Sequence, residues 1–199
     1  MDNQIRQSNK KRKIIESYDS SSYFYDERYG KIQERKYEIL LNNYNLIQKT
    51  ILDAGCGTGL LLDYINKKNL DKEYLRFNYV ALDISWNMLL KFKLKFDKLG
   101  YKYNFSLILC DIENLPFRKS VFDLFISFTS FQNLPHIQKG FTESFKVCKN
   151  NADFRFSILK KKIDIKSLKD MIKLNVKEYI IVNKQDLEDF IIIGKVLHN

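Results

Sequence analysis

From Thr50 onward, short apolar runs alternate with longer stretches in which apolar residues recur every three or four positions. The short runs are nearly continuous in Ile, Leu, Val and Phe, as expected of strands covered on both faces; strands with one wet face would alternate apolar and polar residues. A parallel sheet flanked by amphipathic helices produces this pattern. It predicts strands over 50–54, 79–82, 105–110, 121–128, 154–159, 178–182 and 190–196. It also predicts helices over 60–67, 86–99, 137–148 and 165–174, with a short turn or helix around 112–117. The connection from Val182 to Phe190 is too short for a crossover helix with its loops, so the last two strands should form an antiparallel hairpin. The expected fold is therefore α/β: a doubly wound seven-stranded sheet, mostly parallel with an antiparallel last strand, and helices on both faces.

Upstream, IIESYDSSSYFYDERYGKIQERKYEILLNNY mixes aromatic positions with helix formers. This segment predicts two helical pieces broken around Asp19–Ser22, with Gly30 as a second candidate breakpoint. The first dozen residues are polar and basic and read as a mobile tail. A length of 199 residues favours a single domain, divided here into a tail (1–12), an N-terminal helical segment (13–45) and a core (46–199). Scarce Gly and Pro mark no linker, and the polar stretch 67–77 reads as a surface loop.

Composition adds limits more than assignments. No apolar stretch approaches the roughly 20 residues of a membrane-crossing helix, and no apolar region follows the basic start, so the expected location is cytoplasmic. Cys56, Cys110 and Cys148 lie far apart and only two histidines are present, which gives no basis for a metal site. A formal charge of +10 favours anionic partners, such as RNA or a phosphorylated metabolite, without selecting one.

The chemistry concentrates where strands end. The first strand runs into Asp53-Ala54-Gly55-Cys56-Gly57-Thr58-Gly59. Glycines there permit a tight turn and close approach of backbone to a ligand, and the following helix offers its N-terminal N–H groups. A glycine trio alone also suits a packing turn in any α/β protein. The next strand ends in Val80-Ala81-Leu82-Asp83-Ile84-Ser85, at a spacing expected of a carboxylate that grips two ribose hydroxyls. A third ends in Cys110-Asp111-Ile112-Glu113-Asn114, so Asp53, Asp83 and Asp111 close three successive strands on the edge where open α/β sheets bind ligands.

ILDAGCGTGLL, VALDISWNML, CDIENLPF and FDLFISFTSFQNL together resemble the successive motifs of class I S-adenosylmethionine-dependent methyltransferases, particularly the ubiquinone and menaquinone biosynthesis subgroup. The resemblance covers about residues 18–158 and implies a Rossmann-like fold with S-adenosyl-L-methionine as cofactor. It implies that Asp53 and the turn Gly55-Cys56-Gly57 face the methionine moiety. Asp83 would hold the ribose hydroxyls, with Ile84 and Met88 near the adenine, whose edge Asp111 and backbone at Ile112 would recognise. The early segment from Tyr18 through Tyr25 to Asp26 resembles a paired Tyr-Asp element that folds over the cofactor in this subgroup. One departure is the turn before the fifth strand, where 147–153 lacks the usual Pro-Gly-Gly; Asn can supply the left-handed backbone instead.

Methyl transfer from a sulfonium needs alignment and exclusion of water more than a dedicated base. The segment Phe128-Thr129-Ser130-Phe131-Gln132-Asn133 occupies the position of an acceptor pocket, and no residue is assigned as catalytic. Lys160-Lys161-Lys162, on the same edge, would suit a phosphate-bearing acceptor, small molecule or RNA. The exposed cleft expected of so minimal a fold would also suit completion by a partner subunit. The competing reading is a non-catalytic RNA- or protein-binding module on the same fold. A nicotinamide dehydrogenase shares the glycine turn but fits Cys56 and the Leu-Pro-Phe segment poorly.

Overall fold

A computed structural model of the chain describes residues 2–68, 77–99 and 105–198. Its centre is a seven-stranded sheet of β1 (Thr50–Ala54), β2 (Asn78–Asp83), β3 (Phe105–Leu109), β4 (Phe122–Phe128), β5 (Cys148–Leu159), β6 (Val176–Val182) and β7 (Asp189–Val196). The spatial order is β3-β2-β1-β4-β5-β7-β6. The pairs from β3 across to β5 are parallel, whereas β7 runs antiparallel to both β5 and β6. This is the expected Rossmann-like arrangement with a reversed last strand, and the order turns back at β1 and β4, where such sheets open a crevice.

Strand alternation divides the core into two layers. Leu52 and Phe125 point to one face with Phe131, Phe141, Phe145, Phe154 and Phe156. There Phe125 stacks on Phe154 at 4.6 Å between ring centroids, and Phe131 stacks on Phe141 at 4.2 Å. Ile51, Leu124 and Ile126 point the other way, onto Tyr37, Leu62, Phe92 and Phe96. The first face carries α5 (Ile137–Val147) and α6 (Ile165–Ile172); the second carries α2 (Tyr25–Leu41), α3 (Leu60–Lys68) and α4 (Trp86–Leu99). A period-two strand between two 3.6-period helical layers needs apolar residues at every position, which is why these strands read as unbroken apolar runs.

Three expectations are corrected. The basic start, expected as a mobile tail, is helical in this structure: α1 (Asp2–Ser21) runs from the second residue, and Lys10 and Lys11 reach the core through polar contacts. Its Asp19 accepts hydrogen bonds from Ser85 Oγ at 2.5 Å and Asn87 N at 3.1 Å, which fixes α1 against the start of α4. Polar anchoring of this kind leaves no apolar periodicity for a sequence reading to find. Gly30 breaks nothing: α2 passes through it, and a methyl group there would meet no atom within 4 Å. The break lies at residues 22–24, as expected around Asp19–Ser22. The turn foreseen at 147–153 is instead the first part of a long β5, paired with β4 across a bulge, with Asn151 in the left-handed region at φ 64°. The expected loop at 67–77 falls mostly outside the described residues.

Gly59, which closes the glycine turn at φ 81°, is held against the Phe92 ring; a Cβ there would come within 2.8 Å of it. Gly59→Ala is expected to lower unfolding free energy by roughly 2–4 kcal/mol through left-handed strain plus overpacking. Urea denaturation checks this, and a loss below about 1 kcal/mol would contradict the tight fit.

Candidate active site

The carboxyl ends of β1, β2 and β3 are neighbours, so their terminal acids converge. Gly55 and Gly57 adopt φ of 78° and 56°, which turns the chain back over β2. The Gly55 and Cys56 amides then donate to Leu82 O at 2.8 and 2.9 Å. One Asp83 oxygen accepts from Gly57 N and the other from Ser85 N, each at 2.9 Å, so this carboxylate joins the glycine turn to the start of α4. Asp111 Oδ1 accepts from Glu113 N at 2.9 Å, an Asx turn that fixes the carboxylate beside the exit of β3.

A cleft opens over these groups. Gly55, Gly57, Asp83, Ile84, Met88, Asp111 and Ile112 line it from the sheet side, and Tyr25 from α2 closes one end. Eight of the ten residues singled out from the sequence thus share one hollow. The other two, Asp53 and Cys56, line a smaller cavity beneath the turn, and Tyr25, Gly55 and Gly57 separate it from the cleft. From the acceptor segment, Phe128, Thr129, Ser130 and Asn133 reach the cleft, while Phe131 is fully buried in the core instead.

The roof of the cleft is α1. Lys11, Ile14 and Tyr18 line it from above, and the Tyr18 hydroxyl accepts from Asn133 Nδ2 at 2.7 Å. Lys11 forms ion pairs with Asp111 and, at 2.6 Å, with Glu113. Burial works against its charge, but hydrogen bonds and attraction to the two acids prevail, and the lysine pKa rises. Asp26 at the start of α2 accepts from Thr58 Oγ1 in the glycine turn and pairs with Lys95 of α4 at 2.7 Å. Lys11 escaped the sequence reading because a residue on a presumed tail carries no positional signal, and Ile14 because the helical segment that holds it gave no indication of which face meets the cleft.

A second missed element supports the β4 end of the cleft. Lys36 of α2 is almost fully buried, 2.9 Å from Asp189 of β7 and 2.8 Å from Thr129 Oγ1. The other Asp189 oxygen accepts from Thr129 at 3.0 Å and from Ser157 at 2.8 Å. Thr129 itself sits at φ 53°, a costly conformation for a β-branched residue that this network holds in place. Residues 36, 129, 157 and 189 are too far apart in sequence for spacing to suggest the contact.

Electrostatics sharpen the picture. Desolvation pushes the buried Asp53 carboxyl up to about 7, against the hydrogen bond it accepts from Tyr79, with Asp83 adding repulsion. Burial also raises Asp83, although backbone donors at Ser85, Gly57 and Ile84 pull the other way. Gln33 Oε1 faces no partner although it is buried beside Asp53 in the smaller cavity. A buried unpaired acceptor next to a poorly solvated carboxylate is an excess of electron-rich groups, and a ligand ammonium would relieve it. Burial raises the phenols of Tyr18 and Tyr25 as well, so both stay neutral hydrogen-bonding groups at ordinary pH. By charge and shape, these residues fit an adenosyl sulfonium that carries an amino-acid end.

This fold and site define the class of Rossmann-like S-adenosyl-L-methionine-dependent methyltransferases. The chain belongs to the methyltransferase-domain family, which it matches over residues 51–151. It is 31% identical over 158 residues to the biotin biosynthesis bifunctional protein BioHC of Teredinibacter turnerae, covering 77% of this chain and 28% of that one. It is 30% identical over 141 residues to the ubiquinone/menaquinone biosynthesis C-methyltransferase UbiE of Rickettsia prowazekii, covering 69% and 54%. The chain therefore spans about a quarter to a half of these relatives' lengths. Magnesium protoporphyrin IX methyltransferase from Synechocystis PCC 6803, solved with bound S-adenosylmethionine, shares the fold at a TM-score of 0.72 and 15% identity, over 95% of this chain and 97% of that one. Among the described residues no helix is long and apolar enough to cross a membrane, and no group of acidic, histidine or cysteine residues could hold a metal ion.

The raised Asp53 makes stability depend on pH. Its folded value near 7 lies above the unfolded 3.8, so between roughly pH 4 and 7 the native state holds more protons and stability falls as pH rises. Asp53→Asn keeps the Tyr79 contact without the charge. It is expected to flatten that fall by roughly 2–3 kcal/mol between pH 5 and 8. Urea melts at the two pH values check it, and equal slopes for variant and parent would contradict the burial argument.

Proposed function

We propose that this chain binds S-adenosyl-L-methionine in the cleft under α1 and transfers its methyl group to a small-molecule acceptor reached past the β4 turn. The observation that carries the reading is that Gly57, Asp83 and Asp111 line one hollow at the carboxyl ends of three adjacent strands. In this reading Asp83 accepts from the ribose hydroxyls, because its two oxygens already point along the glycine turn and the start of α4. Asp111 and the backbone at Ile112 take the adenine edge, beside Met88 and Ile84. Asp53, Gln33 and the turn from Gly55 to Gly57 hold the methionine end, with Tyr25 between the two cavities.

When bound, the cofactor supplies a methyl carbon already activated by its sulfonium. The chain's own part is alignment and exclusion of water. Ser130 and Asn133 present polar groups at the acceptor end, and Tyr18, bound to Asn133, brings the roof down on the same spot. Lys11 holds α1 closed by gripping Asp111, the carboxylate that the adenine amino group would share. The similar proteins are named for biotin and quinone biosynthesis and for magnesium protoporphyrin IX, which favours a small acceptor over RNA.

Calorimetry with S-adenosyl-L-methionine tests the proposal: saturable binding is expected, and none at millimolar cofactor would refute it. Asp83→Ala should weaken that binding by about 1–3 kcal/mol through lost contacts to hydroxyl donors. Unchanged affinity would remove Asp83 from the ribose role.

A further inference from the structure

On the far side of the 131–134 turn lies a second hollow that binding of the methyl donor does not use. Leu134 lines both hollows, so this turn is the partition between them. The second is a groove of about 590 Å³, in the size range of small-ligand sites. Leu134, Ile137, Ile158, Ile163 and Met171 give it an apolar lining, and Lys160, Lys161 and Lys162 form one rim where β5 ends. Lys160 is anchored, its ammonium donating to Lys184 O at 2.6 Å. Lys161 and Lys162 are exposed, and among the described residues neither has an acidic partner.

One carboxylate, Asp164, also lines the groove, but it is turned into the start of α6. There it accepts from Lys166 N, Ser167 N and Ser167 Oγ. Three lysines against one aspartate leave the groove net positive. Gln132, on the partition, donates to Thr129 O through Nε2 while its Oε1 is buried without a partner, an acceptor left over for a hydroxyl or amide of a ligand.

Resting on the methyltransferase reading, we infer that this groove holds the far end of the methyl acceptor, and that the acceptor is an amphiphile with a phosphate head. Its apolar part lies on Ile137, Ile163 and Met171, its phosphate meets Lys161 and Lys162, and its reactive end passes the Leu134 partition toward Ser130 and Asn133. The lining decides against single-stranded RNA. Nucleic-acid grooves stack bases on exposed aromatic rings, whereas the one ring here, Phe131, is fully buried.

The test titrates the full chain, with and without saturating S-adenosyl-L-methionine, with hexyl phosphate, inorganic phosphate, hexanol and a short single-stranded RNA, by calorimetry. Hexyl phosphate should bind at least about tenfold more tightly than either inorganic phosphate or hexanol, because it alone satisfies both lining and rim. The double variant Lys161→Glu/Lys162→Glu should lose about tenfold in hexyl phosphate affinity while binding the cofactor as the parent does. Ile163→Ser should lose affinity for hexyl phosphate and not for inorganic phosphate. Equal binding of hexyl phosphate and inorganic phosphate, no change in the double variant, or RNA binding more tightly than hexyl phosphate would each overturn the inference. Failure of the cofactor to bind the parent would instead overturn the methyltransferase reading, which the cofactor titration reads separately.

Discussion

Everything at this site follows from the desolvation of carboxylates at one rim of the sheet. Parallel strands place all their carboxyl ends on the same edge, and the order β3-β2-β1 makes three acid-tipped strands adjacent. Two of those acids, Asp53 and Asp83, are buried, and burial raises both. A fold does not keep such charges without compensation. Here the compensation is partial: the Gly57 and Ser85 amides hold Asp83, and the Tyr79 hydroxyl holds Asp53, while Gln33 Oε1 adds a further acceptor with nothing to receive. The glycine turn is thus more than permissive backbone, since only its left-handed geometry aims the Gly57 N–H at Asp83. What remains is an electron-rich site whose unmet need is positive charge and donor hydrogens, the two things a sulfonium amino acid with a ribose and an adenine amino group carries.

The same reasoning explains how much of the molecule could be read from its residues. Periodicity is a local record of burial, so β1, α4 and the reversed β7 were legible to within a residue or two: the strands are short, mostly apolar runs, and α4 repeats apolar residues every three or four positions. The acids Asp83 and Asp111 were legible because strand ends are marked by the change from apolar to polar residues. Elements fixed by polar contact across long separations leave no such record. The first half of α1 is mainly polar and basic and the helix is held largely by polar contacts of Asp19, Tyr18 and Lys11, so that half resembled a free tail. Lys36 and Asp189, 153 positions apart, carry no local signal of their contact, yet both are buried against one another beside Thr129. The start of β5 was misread as a turn because a bulge and a left-handed Asn151 interrupt the strand pattern without ending the strand.

Burial also ranks the two elements that cover the cleft. α2 is tied down by Lys36, whose side chain is 3% exposed and whose partner Asp189 is fully buried; removing either would strand a charge at a cost of about 3–5 kcal/mol. α1 is tied down by Lys11, which is 27% exposed and grips both an Asp111 that is 18% exposed and the buried Glu113; water and salt weaken the first hold toward the 1 kcal/mol or so of a surface pair, while the second is better shielded. The remaining ties of α1 are hydrogen bonds: Asp19 accepts from Ser85 and Asn87, Tyr18 accepts from Asn133, and Lys10 donates to Leu134 O, each worth about 1 kcal/mol net. Lifting α1 therefore hydrates Lys11 and uncovers Asp111 and Glu113 to water, whereas lifting α2 would expose a buried pair together with Tyr37 and Leu40 of the core. The roof that faces Asp111, the acid proposed to meet the adenine, is the cheaper one to move, and the one that shields the smaller cavity around Asp53 is fixed. Under the proposed placement of the cofactor, that division would let one end of the cleft admit a bulky ligand while the geometry around the methionine end, where the methyl must be aligned, stays rigid.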